Sequence, residues 1–524
     1  MSAAGRTAPA GRSPLRRRVE HMAAAGVVVS TPLHMAGISI VLVSMGMIVS
    51  GLVGAITDGQ QVVAIVGAGA ATGVAGLMVW RFTSLPGEVS HTSALATVAW
   101  SWVAVSVAGS VPFLTTHAFD TPLDALFESV SGFTCSGSTL FDSSGLDGMK
   151  GLDELPKGLL FWRQMTQWFG GMGMVVLAVA VLPLLGVGGL ELISAEAPGE
   201  GADKLAPRVS ETAKRLWTVY GVITVLTTIS LMVVGMNLFD AVAHAFTAVS
   251  TGGFSPFPNS IGDQSLGVEI VLEWWMVISA MNFNLHWFFL GERHFRPYRE
   301  SWELRIFLKA LLVGVILVTL FNTRSGMPFP TALRDSAFNV ITLGTSTGYG
   351  TANFVTWSAA PQLVLFMFMI TGAMTGSTSG GIKMLRVAVL AKHAFRGIRL
   401  ARQPHAVLPI RRYGESIPES VVSRMAGFVL LYFLLALVGA LLIVVIGLGP
   451  TVNSNAIVTS VGASVSALGN MGPGFGAAGP ADSFAVFNPA GRVLVMVLML
   501  IGRLEVFPVL LMFAAMTKSL RRRA

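Results

Sequence analysis

The feature that most constrains this chain is a series of apolar stretches long enough to cross a bilayer. A membrane-spanning helix needs about 20 predominantly apolar residues. Candidates lie at 37–56, 62–80, 93–114, 160–185, 216–236, 268–291, 304–321, 361–391, 425–448 and 492–517. Only 12% of the 524 residues are charged, about half the share of a soluble chain. That is too little charge to cover a water-soluble surface, which excludes a soluble multidomain enzyme. The single cysteine, Cys135, excludes an internal disulfide framework and a cysteine-based zinc site.

Charge orients the spans. Residues 1–36 read as a basic cytoplasmic tail, since Arg16, Arg17 and Arg18 precede no compact cleavage site after a short apolar run. The segments predicted to lie inside carry Arg81, Lys204, Arg208, Lys214, Arg215, Arg293, Arg296 and Arg299. They also carry Lys392, Arg396, Arg399, Arg402, Arg411, Arg412 and Arg521–Arg523. Outer segments hold few basic residues, chiefly Lys150, Lys157, Arg324 and Arg334. The positive-inside rule then places both termini in the cytoplasm. The net charge of +8 is a topology signal rather than a nucleic-acid patch, with anionic membrane lipid as a secondary partner.

Four of the outer connections share a form: a short half-apolar stretch ending in a glycine cluster. They are Pro122–Gly137, Asp240–Phe254, Ala337–Gly350 and Ala456–Gly474. Gly137, Gly252, Gly348 and Gly472 recur at intervals of about 95–125 residues, an internal repeat of supersecondary units. About 12 residues cannot cross the bilayer but fit a re-entrant helix. Irregular backbone at membrane depth must be buried in protein or line a watery cavity. Four such loops meeting on one axis would form that cavity. Each short helix would aim its partially negative C-terminus inward, which favours a cation, and the loops would offer carbonyls in place of water. Ser346-Thr347-Gly348-Tyr349-Gly350 is similar to the TVGYG filter of potassium channels.

On these loops, together with Phe161–Gly173, Asn282–His286, Gly376–Lys383 and Gly502–Phe507, the chain resembles the Trk/Ktr/HKT superfamily of potassium transporters, and TrkH-type membrane subunits most. The likeness covers nearly everything beyond the N-terminal tail. It implies an all-α integral membrane fold: four membrane–pore-helix–membrane repeats around one ion pathway, preceded by a pair of transmembrane helices. The corresponding segments are 37–90 for the pair and 91–212, 213–302, 303–422 and 423–524 for the repeats. It also implies potassium uptake across the cytoplasmic (inner) membrane, a homodimer, and a TrkA-like cytoplasmic partner with RCK-type nucleotide-binding domains. The inner loops here carry no G-x-G-x-x-G of their own.

The resemblance assigns a potassium-binding filter to Cys135, Ser136, Gly137, Ser250, Thr251, Gly252, Ser346, Thr347, Gly348, Asn470, Met471 and Gly472. Glycine at the four key positions is the pattern associated with potassium; serine in the first loop accompanies sodium transport in some plant members. Cys135 departs from the usual threonine. The resemblance further assigns a gate to Gly372, Gly376, Ser377, Thr378, Ser379, Gly380 and Gly381, which interrupt a stretch too long for one straight span, and to Arg503. From the residues alone, 372–381 reads equally as small-residue helix packing. A charge such as Arg503 deep in a span is costly and marks a functional position. Lys383 reads as snorkelling to the interface.

Asp120, Asp124, Glu128, Asp142, Asp147, Asp153 and Glu154 read as a solvated outer loop more than as a cation-concentrating mouth. His117, His244 and His286 have no metal-ligand spacing, and no catalytic cluster has local support. Potassium enters this reading as substrate, with no covalent cofactor. The alternative is a potassium symporter coupled to sodium or protons, against which the scarcity of intramembrane carboxylates weighs.

Overall fold

A computed structural model describes residues 28–85, 91–141, 151–173, 209–406, 408–412, 415–449 and 455–504. Among them six helices are long and apolar enough to cross a bilayer. The basic clusters Arg16–Arg18, Lys204, Arg208 and Arg521–Arg523, and the distal halves of the spans expected at 160–185 and 492–517, lie outside the described residues.

The chain opens with an antiparallel pair, α1 (Thr31–Thr57) and α2 (Val62–Arg81). α1 starts earlier than the expected tail boundary at residue 36. Ser30 caps it by accepting from the Leu33 N–H, and Pro32 fits the first turn, where no N–H partner is needed. Val28–Val29 pairs in parallel with Thr83–Ser84 across the foot of the hairpin. The two helices touch through glycines: a Cβ on Gly37 would lie 2.7 Å from the Trp80 nitrogen, and one on Gly76 3.0 Å from the Gly37 carbonyl. Small residues permit this backbone approach where lipid supplies no hydrophobic drive.

Four repeats follow. The first comprises α3 (His91–Gly109), the short helix α4 (Pro122–Phe133) and α5 (Lys157–Gly171). The second comprises α6 (Val209–Val233), the short α7 (Leu238–Val249), α8 (Leu266–Ser279) and α9 (Phe283–Glu292). The third has α10 (Trp302–Arg324), the short α11 (Phe329–Gly344), α12 (Ala359–Ile370) and α13 (Met384–Arg402). The fourth has α14 (Glu419–Leu442), the short α15 (Ala456–Gly469) and α16 (Pro489–Leu504).

The packing closes into a ring. The helix after each short helix touches that short helix and the next one: α5 contacts α4 and α7, α8 contacts α7 and α11, and α12 contacts α11 and α15. The circle is completed by α16, which contacts α15 and α4.

Two spans are broken. The interruption expected within 361–391 is present, with α12 ending at Ile370 and α13 starting at Met384. The span expected at 268–291 is not one rod: α8 and α9 meet at 94°. The two breaks supply each other's missing hydrogen bonds. The Met374 N–H donates to the Ala280 carbonyl (3.2 Å), and the Phe283 N–H to the Gly376 carbonyl (3.0 Å). Asn282 caps α9 by accepting from the Asn284 N–H (2.8 Å). Freed backbone groups at this depth need such partners.

Replacing Gly76 with Leu should force α1 and α2 apart and cost about 1–3 kcal/mol through overpacking. A thermal unfolding midpoint in detergent unchanged from the wild type would contradict the close glycine contact.

Candidate functional site

The four short helices end alike. In each, one residue enters the left-handed region: Cys135 (φ 54°), Thr251 (53°), Ser346 (56°) and Asn470 (50°). The N–H of that residue reaches back three residues and the next N–H reaches back five. Ser136 bonds Ser131, Gly252 bonds Thr247, Thr347 bonds Thr342 and Met471 bonds Ser466. This is the Schellman termination, which prefers glycine or asparagine at the left-handed position. Only Asn470 meets that preference. Cysteine, serine and especially β-branched threonine are strained there.

Two residues further on, each loop has a glycine with positive φ: Gly137 (78°), Gly253 (78°), Gly348 (89°) and Gly472 (89°). The hydrogen-bond pattern therefore corrects the register of the second loop by one residue. Thr251-Gly252-Gly253, not Ser250-Thr251-Gly252, is equivalent to Cys135-Ser136-Gly137, Ser346-Thr347-Gly348 and Asn470-Met471-Gly472. Ser250 is instead the residue that closes α7.

These glycines interlock around the ring. The side-chain position of Gly137 is filled by the Gly252 carbonyl, that of Gly253 by the Thr347 carbonyl and that of Gly348 by the Met471 carbonyl. At Gly472 a Cβ would meet the Ser136 carbonyl at 3.1 Å. Each loop thus lays a carbonyl where its neighbour has no side chain, and the fourth closes on the first. All four positive-φ glycines line a cavity of about 270 Å³ that opens on the loop face.

Cys135 points away from this cavity. It is buried, with its Sγ 3.3 Å from the Gln167 carbonyl on α5.

Buried polar groups fasten the loops from behind. Glu128 (0% exposed) and Arg163 (2%) pair at 2.7 Å. Glu128 also accepts from the Thr139 hydroxyl (2.9 Å) and the Leu140 N–H (3.1 Å), while Arg163 donates to the Ser255 carbonyl (3.0 Å) and lies over the Phe254 ring. Asp124 pairs with Arg492 of α16 at 2.5 Å. These two acids are ion-paired inside the protein, which corrects their assignment to a solvated loop. Asp120, Asp153 and Glu154 are exposed as expected, and Asp142 and Asp147 lie outside the described residues. His244 is buried and bonded to the Asp240 carbonyl and the Ser255 hydroxyl, and His286 to Tyr298 and the Ile278 carbonyl. No group of metal-ligating side chains occurs among the described residues. Arg163 and Gln167 were missed as site residues. Their signal lies in the sequence: four polar side chains, Arg163, Gln164, Thr166 and Gln167, crowd one stretch of a membrane span, with Arg163 and Gln167 one helical turn apart.

Below the loops, on the side of the short helices' C-termini, lies the 371–383 segment. Its ends pair through Thr371 and Ile382. The Thr378 hydroxyl approaches the Val249 carbonyl at the end of α7 (3.2 Å) and the Thr251 hydroxyl (3.3 Å). The Gly380 N–H donates to the Ser346 hydroxyl (2.8 Å), and the Gly380 Cα packs on the Gly469 carbonyl at the end of α15. Gly372 packs on the Gly380 carbonyl; Ser377 bonds the Ser379 hydroxyl (2.9 Å) and the Met374 carbonyl. Gly376 and Gly381 have positive φ. The buried Glu303 carboxylate accepts from the Thr375 N–H (2.7 Å). Lys383 does not simply snorkel: it folds back onto the carbonyl and hydroxyl of Ser379.

Arg503 joins this segment to α5. Its guanidinium donates to the carbonyls of Thr378 (2.8 Å), Gly171 (2.9 Å) and Gly170. The last two close α5, where the helix dipole favours a cation. The Thr378 hydroxyl and the Arg503 guanidinium thus bring donors to the partially negative ends of α7 and α5, while the Gly380 amide holds the Ser346 hydroxyl just beyond α11. The 371–383 segment and Arg503 therefore lie against the ends of α5, α7, α11 and α15, and Ser250 packs beside Gly171.

The family model for the TrkH cation transport proteins matches residues 64–521. The Trk system potassium uptake protein TrkH of Salmonella typhimurium is 35% identical over 484 residues, covering 91% of this chain and 96% of that protein. The protein of the same name from Halomonas elongata is 35% identical over 491 residues, covering 92% and 97%. The crystal structure of the potassium transporter TrkH from Vibrio parahaemolyticus superposes with a TM-score of 0.79 at 31% identity, covering 92% of this chain and 97% of that one.

The interlock makes the glycines unequal. Gly348→Ala and Gly472→Ala should each cost about 1–2 kcal/mol for the left-handed backbone, but only Gly348→Ala adds a collision with a neighbouring carbonyl. Equal melting shifts for the two variants would contradict the ring. Glu128→Ala should cost about 3–5 kcal/mol by stranding buried Arg163; a shift within measurement error would refute that pairing.

Proposed function

The chain belongs to the TrkH family of cation transport proteins, integral membrane transporters rather than enzymes, and from that premise we propose that it carries potassium into the cell. Potassium sheds water at the four-loop constriction and passes inward past a gate. The filter comprises Cys135-Ser136-Gly137, Thr251-Gly252-Gly253, Ser346-Thr347-Gly348 and Asn470-Met471-Gly472. The observation that carries this reading is the closed circle in which each loop's glycine receives a carbonyl from the next loop. A carbonyl-rich constriction of fixed size, placed at converging helix C-termini, is suited to a dehydrated monovalent cation. The membrane potential supplies about 2.3 kcal/mol per charge per 100 mV.

The gate is the 371–383 segment with Arg503. The bonds of Thr378, Gly380 and Arg503 beneath the loops support a closed pathway in this conformation. Opening requires the segment to leave the helix ends, taking Arg503 from the Thr378 carbonyl. A homodimer in the inner membrane, both termini cytoplasmic, and a cytoplasmic nucleotide-binding partner that moves the segment complete the proposal.

Rubidium uptake into proteoliposomes tests it: flux should favour rubidium over sodium and persist without a sodium or proton gradient. Correctly inserted protein that carries no rubidium would refute the reading, and gradient-dependent flux would favour symport. Gly348→Ser should lower rubidium-over-sodium discrimination. Arg503→Ala, which removes the bonds to Thr378, Gly170 and Gly171, should raise basal flux; reduced flux in well-folded protein would contradict its role as a barrier.

A further inference from the structure

The second filter loop differs from the other three. At the position after the left-handed residue, the others carry a side chain of their own: Ser136, Thr347 and Met471. The second carries Gly252. The space is not empty. A Cβ on Gly252 would run into the carboxamide of Gln167, a side chain of α5 in the first repeat. Gln167 is fully buried (0% exposed), and both ends of its amide are engaged by the loop. Its Nε2 donates to the Gly252 carbonyl (2.7 Å), and its Oε1 accepts from the Phe254 N–H (3.0 Å).

One helical turn earlier, Arg163 donates to the Ser255 carbonyl and its guanidinium lies 3.5 Å from the centre of the Phe254 ring. The same face of α5 therefore grips three backbone groups of the loop: the carbonyls of Gly252 and Ser255 and the N–H of Phe254. The Gly252 carbonyl is also the one that fills the side-chain position of Gly137. Among the described residues, no side chain donates to the corresponding carbonyls of Ser136, Thr347 or Met471.

We propose that Gln167 is a selectivity-determining positioning residue: its carboxamide substitutes for the side chain that Gly252 lacks and sets the height of the Gly252 carbonyl in the constriction. The proposal rests on the potassium-transport reading above. Gln167 touches no ion; it acts through the carbonyl. The donor is essential because it holds an oxygen in place, whereas the acceptor to Phe254 keeps the amide from rotating. Arg163 and the Gly252 N–H anchor the loop on either side, but Gln167 is the side chain that donates to the Gly252 carbonyl itself and so opposes its displacement by a sodium ion, which draws carbonyls inward.

Gln167→Leu keeps the volume and removes both bonds. Gln167→Glu keeps the size and the acceptor but sets a carboxylate oxygen against the Gly252 carbonyl. Each variant, with the wild type, is assayed in proteoliposomes for rubidium uptake and its competition by sodium, and in detergent for amide exchange over 252–255. Both variants should lose about tenfold in rubidium-over-sodium discrimination, the equivalent of one net hydrogen bond, with maximal flux changed less. Exchange at Phe254 should accelerate in Gln167→Leu. Faster exchange with unchanged discrimination would overturn the selectivity role, and unchanged exchange would overturn the clamp. If Gln167→Leu fails to insert, Gln167→Glu decides by discrimination alone. A wild type that carries no rubidium overturns both the transport reading and the selectivity role, while exchange still reports on the clamp separately.

Discussion

Backbone polar groups that lie at membrane depth without a regular helix must find partners inside the protein, and this structure is arranged around meeting that demand. Four helices stop inside the protein and two spans break. At the stops, the N–H groups beyond each short helix turn back onto its last carbonyls. At the breaks, the Ala280–Phe283 and Met374–Gly376 segments answer each other. The carbonyls left over are those that the geometry points between loops and toward the 371–383 segment. The proposed ion pathway runs where these helix ends and loop carbonyls converge.

Fourfold architecture does not mean fourfold chemistry. The four terminations share one backbone course, yet each is fastened differently. The first and second loops are linked by the Glu128–Arg163 pair and by Gln167. The third is held through Tyr349, whose hydroxyl meets Thr247 and the His244 carbonyl on α7. In the fourth, the Gly472 carbonyl takes hydroxyls from Ser138 and Ser466. A single chain can differentiate its repeats in this way, whereas a ring of identical subunits must repeat every contact.

Much of the architecture was legible in the sequence because hydropathy and chain length fix where a helix can cross, and because glycine clusters mark where it cannot continue. The register of the second loop was not, since Gly252 and Gly253 are adjacent and a residue count cannot say which one turns left-handed. The better guide was the aromatic that follows, Phe254 after Gly253 matching Tyr349 after Gly348. The 94° bend carries only the N-cap signal of Asn282, with neither glycine nor proline among Ala280, Met281 and Asn282, and the backbone groups it frees are met by a partner segment almost a hundred residues away. The acidic residues misled for the same reason. Asp124 and Glu128 lie one turn apart on a short helix, but the arginines that bury them come from elsewhere in the chain. The 371–383 segment was visible as an interruption; its attachment to Arg503 became readable only in three dimensions.

The ion pair between Asp124 and Arg492 joins residues 368 positions apart, the first short helix and the last span. A ribosome releases the first partner long before it has made the second. Chains of this size fold unit by unit as they emerge, so three repeats must wait in the bilayer with one side of their ring unsealed. The constriction is complete only when the final span arrives, and a truncated chain cannot become a leaky pore with the finished geometry. On the proposed function, biosynthesis itself thereby delays conduction until the protein is whole.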